Sequence, residues 1–212
     1  MDPSQTPTRP LLIEPHFLPS LSWMVLVSRY PVVYLDVSAN YQKGSYRNRA
    51  HIPGPNGILR LSVPLEHGRG QKITMRAVKI AYAENWQKVM WWTITSSYRR
   101  SPYFDYFEDL FEPLFVRQFT YLIDMHMAML SAIRKCLPLQ IEFRFTDAYI
   151  TTGAPGFDDL RGVINPAIHN PLHLHWKPYT QVFSDRHAFQ PDMSILDAIF
   201  NKGKFTIQDL IQ

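Results

Sequence analysis

Leu11-Leu-Ile-Glu-Pro-His-Phe-Leu-Pro19 and Pro31-Val-Val-Tyr-Leu-Asp36, joined by a largely apolar stretch from about Ser20 to Tyr30, decide the fold. Residues 11–14 form a short apolar run that Pro15 ends, because proline offers no backbone donor to a ladder. Pro19 stands at the start of a helical stretch whose apolar face includes Leu21, Met24 and Val25. The run 31–36 is continuous and rich in β-branched residues, not alternating, which suits a strand covered on both faces and hence a parallel sheet. Asp36 then falls at a strand's carboxyl end, the edge along which open α/β sheets form their ligand crevice. Glu14 to His16 reach the same edge from the neighbouring strand.

Working outward, residues 86–98, 104–116 and 118–136 carry helical spacing, and Pro138 stops the last of these. Ile141, Phe143 and Phe145 alternate with Glu142 and Arg144, the pattern of a half-buried strand. Gly153 to Gly156 reads as a turn, and the proline-rich stretch from Asn165 to Pro178 as an irregular excursion. A short helix begins at Ser194 and ends near Gly203. The expected architecture is α/β, with an N-terminal strand-helix-strand unit in a mostly parallel sheet, a helical middle section and a single domain. Residues 1–10 are expected to be a disordered leader and 11–212 the domain, long enough to bury about 70 % of its unfolded surface.

Bulk chemistry narrows the function classes. Cys136 is the single cysteine, so an intramolecular disulfide is impossible, in keeping with a reducing, cytoplasmic setting. Apolar windows are broken by charge or proline well before about 20 residues, so no membrane span is expected, and the first ten residues lack the apolar segment of a signal peptide. The net charge is +4 and the pI near 9.2, but the cations are spread along the chain without a zinc-finger or RRM pattern, which argues against nucleic acid. His169, His173 and His175 invite a metal reading, yet no carboxylate follows at a diagnostic spacing, and no metal is assigned. His126 lies on the apolar stripe of its helix and reads as a satisfied core or interface histidine, and Cys136 as a buried structural thiol. No Walker loop or Gly-x-Gly-x-x-Gly occurs, so phosphate would be held by side chains, and the sequence specifies no cofactor.

The chemistry-bearing residues cluster in the N-terminal third. His16 is a candidate general acid or base, or else a turn residue. Asp36, beside Glu14, is a candidate for proton transfer or for binding a sugar hydroxyl, or else a cap on the next segment. Lys43, Tyr46, Arg47, Asn48 and Arg49 form a basic stretch that either grips a phosphate or carboxylate or lines a solvated strand. Glu14, His16, Asp36, Lys43, Arg47 and Asn48 are expected to converge on one concave surface. Tyr179, Gln181 and Phe183 are spaced by two, so an extended backbone turns them one way and offers Gln181 to a ligand or to a neighbouring backbone.

Glu14-Pro-His-Phe-Leu-Pro19, Asp36, Lys43 with Arg47-Asn-Arg49, Leu61-Ser-Val-Pro64, Trp86, Pro102-Tyr-Phe104, Tyr179-Thr-Gln-Val-Phe183 and Ser194-Ile-Leu-Asp197 together resemble the WbqC-like protein family, in the expected order over about residues 11 to 205. Two departures stand out: the family usually has Gln where Glu14 stands, and Gly-Tyr where Ser22-Trp23 stands. The resemblance implies a bacterial protein associated with gene clusters for O-antigen and other surface polysaccharides, and carries no settled reaction. Taken with the residues, it leads to the expectation of a transferase acting on an activated sugar or small anionic, nucleotide-linked metabolite. Glu14, His16 or Asp36 would move the proton, and Lys43, Arg47 and Arg49 would hold the anion. The alternative is a small-molecule-binding or scaffold protein that uses the same cleft without chemistry.

Overall fold

The structure, a computed structural model, describes residues 7–66 and 72–212. Four parallel strands form the central sheet: β1 (Leu11–Ile13), β2 (Val32–Leu35), β5 (Glu142–Phe145) and the two-residue β6 (Asp158–Asp159), in the order β5-β2-β1-β6. Leu11 and Ile13 of β1 pair with Val33 and Leu35 of β2, and all four are sealed from solvent, as the unbroken apolar runs require. β2 in turn pairs with β5, whose Phe143 stacks on Trp23 at 6.1 Å while Phe145 is left exposed on the sheet's outer edge. The connecting helix α1 (Leu21–Val27) is shorter than the expected 20–30 and is capped by Ser20, whose hydroxyl accepts from the Trp23 N–H.

An antiparallel hairpin follows, β3 (Arg49–Gly54) and β4 (Gly57–Ser62), joined by Pro55-Asn56. The first four residues of β3 alternate: Ala50 and Ile52 enter the core, leaving Arg49 and His51 on the other face. Three long helices come next: α2 (Trp86–Tyr98), α3 (Phe104–Val116) and α4 (Leu122–Cys136). On α3 the residues Phe104, Phe107, Phe111 and Phe115 make one buried stripe, and the Trp91 ring of α2 lies 5.4 Å from Phe115 and 6.0 Å from Phe104. α4 begins four residues later than its sequence spacing suggests, because the segment before it is extended and Tyr121 bridges to Lys79. α5 (Ile195–Lys202) sends Phe200 against Tyr98, Phe104 and Phe111, and the left-handed Gly203 (φ +74°) closes it. One contiguous apolar core joins sheet, hairpin and helices, which makes a single domain.

Residues 1–6 of the expected disordered leader lie outside the described residues. Its last two residues are tied down: Arg9 pairs with Asp158 at 2.8 Å, and the Pro10 carbonyl accepts from the Asp158 N–H. Among the described residues no helix is long and apolar enough to cross a membrane.

Candidate functional site

The four parallel strands aim their carboxyl ends at one edge, and the residue following each strand carries the local chemistry. Thr146 follows β5, Asp36 follows β2, Glu14 follows β1, and Arg161 comes two residues after β6. This edge is closed. Glu14 and Asp36 are each 1 % exposed, so the expected open concave surface is replaced by a buried polar layer. Arg161 is the reason on the Asp36 side. Its guanidinium donates to Asp36 at 2.6 Å and to Asp159 at 2.6 and 2.8 Å, while the other Asp36 oxygen accepts from the N–H groups of Ser38 and Ala39 and from the Thr146 hydroxyl. Asp36 therefore has its acceptors filled by the protein itself.

Glu14 is arranged differently. The Gly162 N–H donates to its carboxylate at 2.9 and 3.2 Å, and one oxygen lies 3.6 Å from His16 Nε2. Burial opposes ionisation of Glu14, but His16, the Arg47 charge and the Gly162 amide outweigh it and hold its pKa below the usual carboxylate range. Complete burial drives the His16 pKa down against the pull of Glu14, with the Arg47 cation assisting, so the ring is neutral at pH 7. His126 of α4 belongs to the same layer, and burial depresses its pKa to about 3 with the neighbouring Arg47 backbone opposing. Among the described residues no hydrogen-bond partner satisfies either nitrogen of His16 or His126. His126 is thus a core histidine, as its helical stripe implies, but not a satisfied one. Such nitrogens are costly, since a buried polar group without a partner loses roughly 1–3 kcal/mol.

The basic stretch divides. Arg47 is 4 % exposed, with its guanidinium on the Gln42 side-chain carbonyl at 3.2 Å and its charge close enough to lower the Glu14 pKa. Lys43 is exposed in the turn before it, and the Asn48 amide is spent on the Val63 carbonyl at 2.9 Å. Arg49, half-buried, shares the outer face of β3 with His51 and leaves its Nε without a partner among the described residues. Burial, then Arg49 and Arg60, lower the His51 pKa.

Tyr46 links this layer to a cavity. Its ring centroid lies 5.3 Å from that of His16 and 5.4 Å from that of His51, with its hydroxyl 3.5 Å from His51 Nδ1. Tyr46, His51 and Ile58 line a cavity of about 730 Å³, and the segment 166–193 supplies the rest, including His169, Trp176, Phe189 and Asp192. Strain concentrates here: Asn170 and Asp192, both lining the cavity, have φ of +49° and +55°. Asp192 accepts from the Ser22 N–H at 2.6 Å, and burial pushes its pKa up to about 6 against that bond. The Ser194 and Ile195 N–H groups donate to His51 and Pro19, which fastens this segment to the hairpin and to the turn before α1.

Gln181 stands behind the cavity wall. Its amide exchanges hydrogen bonds with the Gln190 backbone at 2.8 and 2.9 Å and donates to Asp197 at 2.8 Å. Tyr179 donates to the same Asp197 oxygen at 2.6 Å, so the two side chains share a direction although residues 179–183 form no strand. His51, Asp192 and Arg161 were not singled out by the sequence. Their weak signals were an imidazole one step from the core positions of a strand, an acid two residues before a helix cap, and an Asp-x-Arg-Gly after a glycine turn.

No curated protein and no solved structure matches the chain. A sequence model of the WbqC-like protein family matches residues 14–158, more than half of the chain and the part that runs from Glu14 through α1, β2, the hairpin and helices α2 to α4 to β5, so the protein belongs to the WbqC-like family.

Proposed function

We propose that the chain is a cytoplasmic transferase that acts on an activated sugar or a small anionic metabolite in surface-glycan or related conjugate biosynthesis. The observation that carries this reading is the position of Tyr46, shared between the cavity and the neutral, Glu14-flanked His16. The donor's anion lies toward His51, with Arg49 close behind it on the same face of β3, and the donor's apolar part lies against Trp176 and Phe189. Displacement of the Tyr46 ring opens His16 to the acceptor. His16 takes the acceptor's proton, the acceptor's heteroatom bonds to the donor carbon, and the leaving group departs with its negative charge met by Arg49. Glu14 stabilises the imidazolium meanwhile, and His16 then gives the proton to the leaving group and regains its neutral form.

The second reading, a binding or scaffold protein, draws on one fact: Glu14 and His16 are each only 1 % exposed. Calorimetric titration of wild type, Tyr46→Ala and Arg49→Ala against nucleotide sugars, nucleoside phosphates and carboxylates tests the location of the site. Loss of the Arg49 charge should weaken a bound anion by about 1.5–3 kcal/mol. A ligand that binds all three proteins equally moves the site away from this cavity.

A further inference from the structure

Helix α2 is apolar on two faces. Trp86, Met90, Ile94 and Tyr98 face the core, while Val89 and Trp92, three residues apart on the opposite side, are 63 % and 70 % exposed. Val116, at the end of α3, is 74 % exposed beside them. Between the two helices runs a groove of about 910 Å³ floored by Trp91 and Phe115 and edged by Val89, Trp92 and Val116. A helix with a solvated outer face ordinarily carries polar residues there, and exposed apolar patches rimmed by polar side chains mark interaction sites.

We propose that this face is the two-fold interface of a homodimer. The patch is complementary to itself, which is the condition a two-fold contact imposes. It holds both a projecting knob, Trp92, and the apolar groove to receive one. It also holds both signs of charge: Lys88 and Glu112 line the same groove, and among the described residues neither forms an ion pair. A two-fold axis places Trp92 of each copy in the other's groove and sets Lys88 of each copy against Glu112 of the other. Tryptophan is the side chain that most often dominates such contacts, and opposite rim charges fix the register.

Sedimentation velocity on the full chain at about 100 μM tests it. The expected result is a species of twice the 24.8 kDa chain mass. Trp92→Glu should raise the dimer dissociation constant at least about thirtyfold while leaving the melting temperature of the dissociated chain unchanged. Lys88→Glu should also weaken the dimer, and adding Glu112→Lys should restore it, a rescue that does not depend on the tryptophan variant folding. Ile168→Glu, on the rim of the other cavity, should leave the dimer intact. A wild-type chain that sediments as a monomer overturns the proposal, as does a dimer indifferent to both Trp92→Glu and the charge swap. A monomer that cosediments with phosphatidylglycerol vesicles also overturns it and gives the face to a membrane surface.

Discussion

Asp36 and Arg161 meet at 2.6 Å across the end of β1, which separates the strands they follow. The contact locks the carboxyl edge of the sheet by joining the segments that follow β2 and β6, and the bidentate grip of Arg161 on Asp159 fixes the geometry.

Removing Arg161 strands a buried carboxylate. Arg161→Ala should lower stability by about 3–5 kcal/mol, and Asp36→Asn by less, because the amide leaves no uncompensated charge. Urea denaturation of the two variants measures this. An Asp36 that instead serves a ligand, with Arg161 incidental, would show an Arg161→Ala loss below about 1 kcal/mol.

Arg47 and Lys43 separate in the same way. The sequence groups them as one anion grip, but Arg47 is buried where its charge balances Glu14, whereas Lys43 is in solvent. Arg47→Ala should cost about 2–4 kcal/mol of folding stability and Lys43→Ala less than about 0.5 kcal/mol. Equal small losses in thermal denaturation would return Arg47 to the surface.

The pH dependence of stability follows from two opposed sets of groups. Below about pH 6.5 the unfolded chain protonates the residues corresponding to His16 and His126, while the native layer resists. Each therefore removes up to about 1.4 kcal/mol per pH unit as pH falls. Asp192 and Asp197, raised by burial to about 6 from 3.8, act oppositely: native protons are held that the unfolded chain has released, so stability is gained as pH falls through that window. Because the two sets oppose each other, the wild-type profile should be shallower between about pH 6 and pH 4 than that of a variant lacking either set. Asp197→Asn should make it fall toward acid, and His126→Gln should make it rise. Three parallel profiles would show that these groups do not titrate as buried.

Much of the architecture is legible in the sequence for specific reasons. Buried parallel strands need contiguous apolar residues, so 11–14 and 31–36 announce themselves, and the phenylalanines of α3 spell its stripe in threes and fours. The hairpin 49–62 is hidden because Pro53 to Gly57 breaks its alternation at the turn and its outer face carries cations that read as a ligand grip. β6 has two residues, too few for any period. At the site, strand-end logic brings Glu14 and Asp36 to one edge, but their partners Gly162 and Arg161 stand 148 and 125 residues away, a distance at which local pattern is silent. Burial of that edge depends on those partners, so the strand-end pattern alone points to a crevice where a sealed layer exists. Asp192 is illegible for a related cause, since its strained backbone and its bond to Ser22 span 170 residues.

On the proposed function, His16 moves the proton for a ligand bound beside Tyr46. Mass-spectrometric turnover of nucleotide-sugar donors with hydroxyl and amine acceptors, measured for wild type and His16→Asn alongside donor affinity, tests it most directly. Wild type should give product, and His16→Asn should keep donor affinity within about threefold while its turnover falls by about 10²–10⁴-fold. Equal turnover in the two proteins, or a tightly bound donor that yields no product with either, would contradict it.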